Sequence, residues 1–255
     1  MSVKEDVYET TVGLEIHVEL ATNSKMFCGC EVSFAGEPNT RTCPVCLGLP
    51  GTLPVPNEKA VEYTMKIGLA LDCHIAERSL FHRKNYFYPD MPKNYQISQY
   101  DSPLCERGHV EISGDFGTTR VGITRVHLEE DTGKSIHVGG SGRIGDSEYS
   151  LEDFNRAGTP LVEIVSEPDI RSAEQAREWL TLLRETLRQL GVSDVDMSQG
   201  SLRCDANISI RPVGETGFGT KTELKNMNSF AFIERGIRAE VARQTAIVGG
   251  GGDVV

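Results

Sequence analysis

Two sets of side chains in this chain have the type and spacing to do chemistry. The first is sulfur. Cys28-Gly29-Cys30 is followed, twelve residues later, by Cys43-Pro44-Val45-Cys46. Two thiolate pairs on two tight turns suit a tetrahedral structural zinc ion, and Gly29 and Pro44 are residues that such turns favour. Two disulfides or four buried thiols would account for the same residues, but nothing else in the chain points to secretion, which weighs for zinc. Cys73, Cys105 and Cys204 are scattered and read as reduced thiols.

The second set is oxygen and imidazole. Strand side chains alternate between faces, so Glu15, His17 and Glu19 share one face while Leu14, Ile16, Val18 and Leu20 share the other. Arg203, Asp205 and Asn207 alternate in the same way with Leu202, Cys204, Ala206 and Ile208. Glu129-Glu130-Asp131 ends a further strand pattern, and Glu163 interrupts the apolar run Leu161-Val162-Ile164-Val165. If these strands are neighbours, they line a cleft with carboxylates, an imidazole and cations. That donor set suits Mg²⁺ or Mn²⁺ meeting a nucleotide phosphate. Glu15 and Glu19 lie about 13 Å apart along an extended strand, so one ion does not take both; either there are two ions or one of the two residues supports the site. His127 and His137 flank the acidic segment as ligand candidates or as ordinary core-edge and surface histidines.

A basic-aromatic stretch, Phe81 to Asp90, places Arg83 and Lys84 as fork and point charge for phosphates. No Walker loop and no Gly-x-Gly-x-x-Gly follows a strand, so a nucleotide would be held by metal and by side chains on the sheet. Ser135, Ser166 and Ser201 have no evident base partner for nucleophilic catalysis.

The elements that must position these groups are legible in outline. Helical patterns run from Asn57 to Leu71, from Ser172 to Leu190 and from Ser229 to Ile247. In the second, Ser172 and Gln175 form a capping box, Trp179, Leu182, Leu183, Leu187 and Leu190 line one face, and Gly191 closes the end. Strand patterns cover Leu14–Leu20, Val121–Glu130, Leu161–Glu167, Leu202–Arg211 and Thr220–Asn226. Long strands with few helices predict an α+β fold: a largely antiparallel sheet with helices packed on one face.

The chain has 255 residues, 38% hydrophobic content and a formal net charge of −11. It is long enough to bury a sizeable core. Excess negative charge makes it a poor partner for bare nucleic acid except through a local basic patch. Met1–Asp6 has neither the apolar core nor the cleavage pattern of a signal peptide, and no apolar stretch is long enough to span a bilayer. A soluble, cytoplasmic protein with no membrane partner is expected.

Several long motifs then occur in order: Gly13-Leu14-Glu15-Ile16-His17-Val18-Glu19-Leu20, Arg83-Lys84-Asn85-Tyr86-Phe87-Tyr88-Pro89-Asp90, Tyr95-Gln96-Ile97-Ser98-Gln99, His127-Leu128-Glu129-Glu130-Asp131, Asn155-Arg156 with Gly158-Thr159-Pro160-Leu161, Glu163-Ile164-Val165-Ser166-Glu167-Pro168-Asp169 and Gly200-Ser201-Leu202-Arg203-Cys204-Asp205-Ala206-Asn207. Over essentially its whole length the chain resembles the B subunits of the aspartyl/glutamyl-tRNA(Asn/Gln) amidotransferases. The resemblance implies a fold like that of glutamine synthetase and guanidino kinases. It implies ATP-dependent phosphorylation of the side-chain carboxylate of misacylated Glu-tRNA(Gln) or Asp-tRNA(Asn), followed by amidation with ammonia. A glutaminase partner, the amidotransferase's A subunit, supplies that ammonia through a channel, and a small C subunit belts the two together. By motif, the Mg²⁺ (or Mn²⁺) ligands would be His17, Glu130 and Glu163, with Glu15 in or beside the shell. Glu129 and Asp205 would serve a second ion or water positioning. Arg83 and Lys84 would meet the ATP phosphates. Cys28, Cys30, Cys43 and Cys46 match a zinc-bearing branch in which zinc is structural. Residues 1–255 would form one catalytic cradle domain with a zinc-stapled loop at 26–50, the family's helical and tRNA-gripping tail domains being absent. Two other readings compete: a zinc-stapled assembly platform with a merely solvated polar face, and a free-standing metal-dependent kinase or phosphohydrolase.

Overall fold

A computed structural model of the chain describes residues 7–142 and 144–255, so Met1–Asp6 lies outside the described residues. The strands are β1 (Tyr8–Glu19), β2 (His74–Ile75), β3 (His82–Asn85), β4 (Tyr95–Ser98), β5 (Cys105–Gly114), β6 (Gly117–Glu130), β7 (Lys134–Val138), β8 (Tyr149–Asp153), β9 (Pro160–Ser166), β10 (Leu202–Pro212) and β11 (Thr222–Met227). The helices are α1 (Glu58–Ala70), α2 (Ala173–Gln189) and α3 (Phe230–Gly249). Nine strands form one sheet in the order β11-β10-β1-β9-β6-β4-β3, with β5 also on β6 and β2 on β5. Strands β7 and β8 make a separate hairpin ladder. Every ladder is antiparallel. The α+β fold with a mostly antiparallel sheet is therefore as expected. Among the described residues no helix is long and apolar enough to cross a membrane.

The sheet has two chemically distinct faces because its long strands alternate strictly. Val12, Leu14, Ile16 and Val18 are fully buried and join Val126, Leu128, Val162, Ile164, Ala206 and Ile208 in one apolar layer. The helices cover that layer through Ile67, Trp179, Leu183, Leu187, Ile233 and Ile237. Each such side chain contributes roughly 1.5–3 kcal/mol by leaving water, which fixes register: a slip of one residue would put His17 and Glu163 in the core. Helix α1 approaches the sheet closely at Gly68, where an added Cβ would meet Cys105 Sγ at 2.4 Å.

Helix boundaries follow their caps. The Asn57 side chain accepts from Lys59 N and Ala60 N, and that of Ser229 from Phe232 N. Ser172 Oγ accepts from Gln175 N at 3.2 Å, but the Gln175 side chain accepts from Arg171 N rather than closing the expected box. Gly191, at φ +65, ends α2 in the left-handed region. On α2, Leu180 is buried and Leu182 is 37% exposed, so the apolar stripe lies slightly round the helix from the expected one.

Candidate functional site

The face of the sheet turned away from the helices carries the polar groups, and its register brings them into rows. His17 on β1 stands opposite Glu163 on β9, and Glu163 stands opposite His127 on β6. On the other side of His17, β10 supplies Arg203. One row across four strands thus reads Arg203, His17, Glu163, His127. The next row toward the end of β6 supplies Glu129, which pairs with Leu161 of β9 and Ser98 of β4.

His17, Glu129 and Glu163 converge, with one donor atom from each lying within 4.8 Å of the others. His17 Nε2 is 3.6 Å from Glu129 Oε1 and 3.6 Å from Glu163 Oε2. These separations are too long for hydrogen bonds. They suit donors around a shared ion, since ligands about 2.1 Å from one centre stand roughly 3–4 Å apart. The residues present therefore fit a divalent cation of the Mg²⁺ or Mn²⁺ kind.

Electrostatics support the same reading. Glu129 is 3% exposed and Glu163 is 7% exposed. Burial, reinforced by the nearby Glu163 charge, pushes the Glu129 carboxyl up to about 7. Burial would also raise Glu163, but His17, His127 and the Arg125 guanidinium together hold it down at about 2. Arg125 Nη2 donates to Glu163 Oε1 at 3.1 Å. Burial would lower His17, yet Glu163 and Glu129 raise it. Two carboxylates that share one buried cluster repel each other, and one of them holds its proton more tightly than the other. His127 is fully buried and burial drives its pKa down to about 4, so its ring is neutral.

The cluster forms part of the wall of a cavity of about 520 Å³ whose lining includes Lys84, Tyr86, Asp131, Arg203, Asp205 and Lys225. Cations thus approach the donors from three elements: Lys84 from β3, Arg203 from β10, Lys225 from β11. Asp131, just past β6, accepts from Arg203 Nη2 at 2.7 Å and has Arg156 Nε at 3.8 Å. Burial would raise Asp131, but those two arginines keep it ionised. Its neighbour Glu19 is pushed to about 8 by burial and by the Asp131 carboxylate.

Four expected site residues stand outside the three-donor cluster. Glu130 does not join the cluster: one residue along β6 from Glu129, it projects through the opposite face. There its carboxylate is paired with Lys93 and accepts from Ile97 N at 2.9 Å. It lies under the cysteine loop, in a small cavity shared with Lys25, Cys46 and Tyr95. Glu15 accepts from Asn207 Nδ2 at 2.9 Å, two residues down the strand from His17 and outside the three-donor group. Asp205 faces Glu15 across the β1–β10 ladder and sits 3.7 Å from Lys225 Nζ. Arg83 stacks its guanidinium over Tyr95 at 4.6 Å, on the face away from the cavity, because alternation on β3 sends Arg83 and Lys84 opposite ways. Asp131 joins the site as the end of the acidic run Glu129-Glu130-Asp131, and Arg125, Arg156 and Lys225 join it without standing out in the sequence as site residues. Alternation from His127 back to Arg125 is the one signal that could have found any of these three cations.

The sulfur set does assemble. Cys28, Cys30, Cys43 and Cys46 offer Sγ atoms within 4.8 Å of one another. The Sγ atoms of Cys43 and Cys46 are 3.9 Å apart, close to the roughly 3.8 Å edge of a zinc–thiolate tetrahedron. All four are free thiols, as are Cys73, Cys105 and Cys204. The neighbouring Cys28 thiol, together with the Lys25 ammonium, draws Cys46 down to about 4, against burial. Lys25 is itself buried and reaches Cys46 Sγ at 3.8 Å. A thiolate and a buried ammonium suit a site that carries net negative charge when four sulfurs bind one Zn²⁺.

The fold and these clusters define an α+β protein with an ionised cleft on one sheet face and a metal-competent thiol loop beneath the other. The family described as the GatB/GatE catalytic domain matches residues 10–250, and the chain belongs to that family. It is 60% identical over 254 residues to the aspartyl/glutamyl-tRNA(Asn/Gln) amidotransferase B subunit of Frankia casuarinae, covering 97% of this chain and 50% of that protein. It is 55% identical over 248 residues to the B subunit of Carboxydothermus hydrogenoformans, covering 97% and 51%. It is 58% identical over 248 residues to that of Brevibacillus brevis, again covering 97% and 51%. The chain spans about half the length of these curated relatives.

Proposed function

We propose that this chain is the catalytic part of one subunit of a tRNA-dependent amidotransferase. Such a ligase activates and amidates the side-chain carboxylate of misacylated Glu-tRNA(Gln) or Asp-tRNA(Asn). The observation that carries this reading is the convergence of His17, Glu129 and Glu163, from three adjacent strands, beside a cavity ringed by Lys84, Arg203 and Lys225.

A carboxylate is a poor acyl electrophile because oxide would have to leave. ATP transfers its γ-phosphoryl group to a carboxylate oxygen, releasing ADP. Ammonia then attacks the carbonyl carbon, the C–O bond to phosphate breaks, and the nitrogen loses a proton to give the amide. Phosphoryl transfer asks a protein mainly for alignment and charge neutralisation. His17, Glu129 and Glu163 would hold Mg²⁺ or Mn²⁺, which would supply part of that neutralisation. Lys84 and Lys225 supply more as point charges. Arg203, held by Asp131, presents a fixed fork. Glu15 and Asp205 set the positions of Asn207 and Lys225 rather than binding the ion.

Zn²⁺ on the four cysteines is structural in this reading, because the loop lies beneath the face opposite the cavity. The catalytic cradle resembles the sheet of glutamine synthetase and guanidino kinases, a likeness that the antiparallel sheet with one ionised face supports. The main grip on tRNA falls to the half of the relatives that this chain does not span, which suits a net charge of −11. Ammonia comes from the glutaminase A subunit, with a small C subunit completing the complex in the cytoplasm. The assembly-platform reading expects solvated carboxylates, whereas Glu129 and Glu163 are buried.

The test is ADP formation that depends on misacylated tRNA. His17→Ala and Glu129→Gln abolish it while zinc content stays normal. Unchanged ADP formation in both variants contradicts the assignment.

A further inference from the structure

The Asn155-Arg156 motif has no assigned role in the chemistry above, yet it lies where the cysteine loop meets the cleft. Residues 31–42 join the two cysteine pairs. Within them, residues 37–41 lie along the chain that follows β8, and the two segments exchange side-chain amides. Asn39 Nδ2 donates to the Glu152 carbonyl at 3.0 Å, and Asn39 Oδ1 accepts from Phe154 N at 2.8 Å. In return Asn155 Nδ2 donates to the Glu37 carbonyl and Asn155 Oδ1 accepts from Arg41 N, both at 2.8 Å. Each amide thus satisfies backbone groups that no strand partner reaches. A second link runs underneath. The buried Lys25 ammonium donates to the Phe154 carbonyl at 3.2 Å and reaches Cys46 Sγ at 3.8 Å.

The next residue, Arg156, carries this contact into the cleft. Its Nε donates to the Thr132 carbonyl at 3.0 Å and its Nη2 to that of Gly133 at 2.7 Å. The guanidinium therefore ties the chain leaving β8 to the chain entering β7 and closes the base of that hairpin. An isolated two-stranded hairpin is marginal in water, so β7 and β8 depend on such ties. The same guanidinium stands 3.8 Å from Asp131 Oδ2, the oxygen that accepts from Arg203 Nη2 at 2.7 Å. Displacing Arg156 leaves the buried Asp131 with one cation fewer, and Arg203 with a less firmly placed anchor.

We infer that Asn39 and Asn155 couple the cysteine loop to the cleft. With the loop ends gathered by zinc, the two amides place Arg156, and Arg156 places the Asp131–Arg203 pair that faces the nucleotide. Asn39, Asn155 and Arg156 are positioning residues and touch no reacting atom. The coupling rests on the zinc loop and the ATP cleft proposed above and adds the connection between them. Its physical basis is loop closure. Cys30 and Cys43 bracket residues 31–42, and a metal that holds both removes freedom that the ends of an open loop retain. Without the metal, exposed hydrogen bonds of modest individual strength must order the loop unaided.

The experiment compares the unaltered protein with Asn39→Gly, each in its native assembly, before and after a chelator removes zinc and Mg²⁺ is restored. Asn39 holds φ +59, which glycine adopts freely, so the substitution removes the amide without straining the loop. Backbone hydrogen exchange is followed in β7, in β8 and at Thr132, whose N–H donates to Asp131 Oδ1 at 2.8 Å and so reports on that carboxylate. The KM for ATP is measured alongside. Asn39→Gly is expected to keep its zinc, to exchange roughly tenfold faster at these amides and to show a severalfold higher KM. Zinc removal does the same to the unaltered protein and adds little to Asn39→Gly, because both act on one path. Zinc removal that shifts both proteins equally, or that speeds exchange evenly over the whole sheet, overturns the coupling. If the zinc-free protein unfolds, Asn39→Gly decides alone: unchanged exchange and unchanged KM with zinc in place overturn it. A protein that consumes no ATP contradicts the functional reading instead, and exchange at Thr132 and the hairpin then decides the coupling.

Discussion

Glu163 stands directly across the β1–β9 ladder from His17, with its Oε2 3.6 Å from His17 Nε2. The pair is held by backbone register rather than by a mutual hydrogen bond. The two donors are therefore positioned before any ligand arrives, and a bound cation gains from that preorganisation. Glu163→Gln keeps the shape and removes the charge. It is expected to weaken Mn²⁺ binding by at least tenfold, measured by calorimetric titration, with the far-UV circular dichroism spectrum unchanged.

Glu129 and Glu130 give opposite expectations although they are adjacent. Glu129→Gln abolishes tight Mn²⁺ binding and leaves thermal stability nearly unaltered. Glu130→Gln leaves Mn²⁺ binding in place and strands the buried Lys93 ammonium. Breaking a buried ion pair in this way costs about 3–5 kcal/mol. Calorimetric titration and denaturant melts on the two variants check both halves.

Lys84 lines the cavity while Arg83 lies on Tyr95 on the other face. Lys84→Ala is expected to raise the KM for ATP about tenfold, equivalent to about 1.4 kcal/mol. Arg83→Ala changes it far less. Initial-rate kinetics with varied ATP separate the two.

The thiol loop and the cleft are separate metal sites. Cys43→Ser is expected to abolish the one zinc per chain seen by elemental analysis and to lower the thermal midpoint. Mn²⁺ affinity at the cleft persists in the fraction that remains folded.

Helix α3 is docked by a carboxylate whose effect depends on pH. Glu240 accepts from Thr222 Oγ1 at 2.6 Å, from Gln244 Nε2 at 2.9 Å and from Arg243 at 2.7 Å. The Arg243 hydrogen bond, with those from Thr222 and Gln244, outweighs burial and lowers its pKa from 4.5 to about 2. A carboxyl lowered on folding contributes stability that is fully present above its unfolded value and is lost as pH falls through its folded value. The advantage of the wild type over Glu240→Gln is therefore constant above about pH 5, shrinks from pH 4.5 downward and is gone near pH 2. Urea melts across that range measure it.

How far the sequence can be read depends on strand period and strand partners. Alternation in Glu15-Ile16-His17-Val18-Glu19 is unambiguous, so the ionised face is visible in the residue order alone. The same period separates Glu129 from Glu130. The family likeness points to Glu130 as a ligand, whereas counting by twos from His127 leads to Glu129. Register across β1, β9 and β6 is a tertiary property that no one segment encodes. That is why neither the His17–Glu163–His127 row nor the Arg203–Asp131 bond is legible in the sequence. Strand β5 escapes a reading by pattern because it carries little buried apolar surface: most of Cys105–Gly114 is partly or fully exposed, so it lacks a clean apolar alternation. The cysteine loop is the most legible feature, since ligand spacing alone carries it.

Anomalous diffraction from crystals of the protein grown with Mn²⁺ and a non-hydrolysable ATP analogue tests the central claim most directly. A manganese peak is expected within bonding distance of His17 Nε2, Glu129 and Glu163, with the triphosphate oxygens on its open side and Lys84, Arg203 or Lys225 against the phosphates. A peak beside Glu130, or a triphosphate bound with no ion between His17 and Glu163, would contradict it.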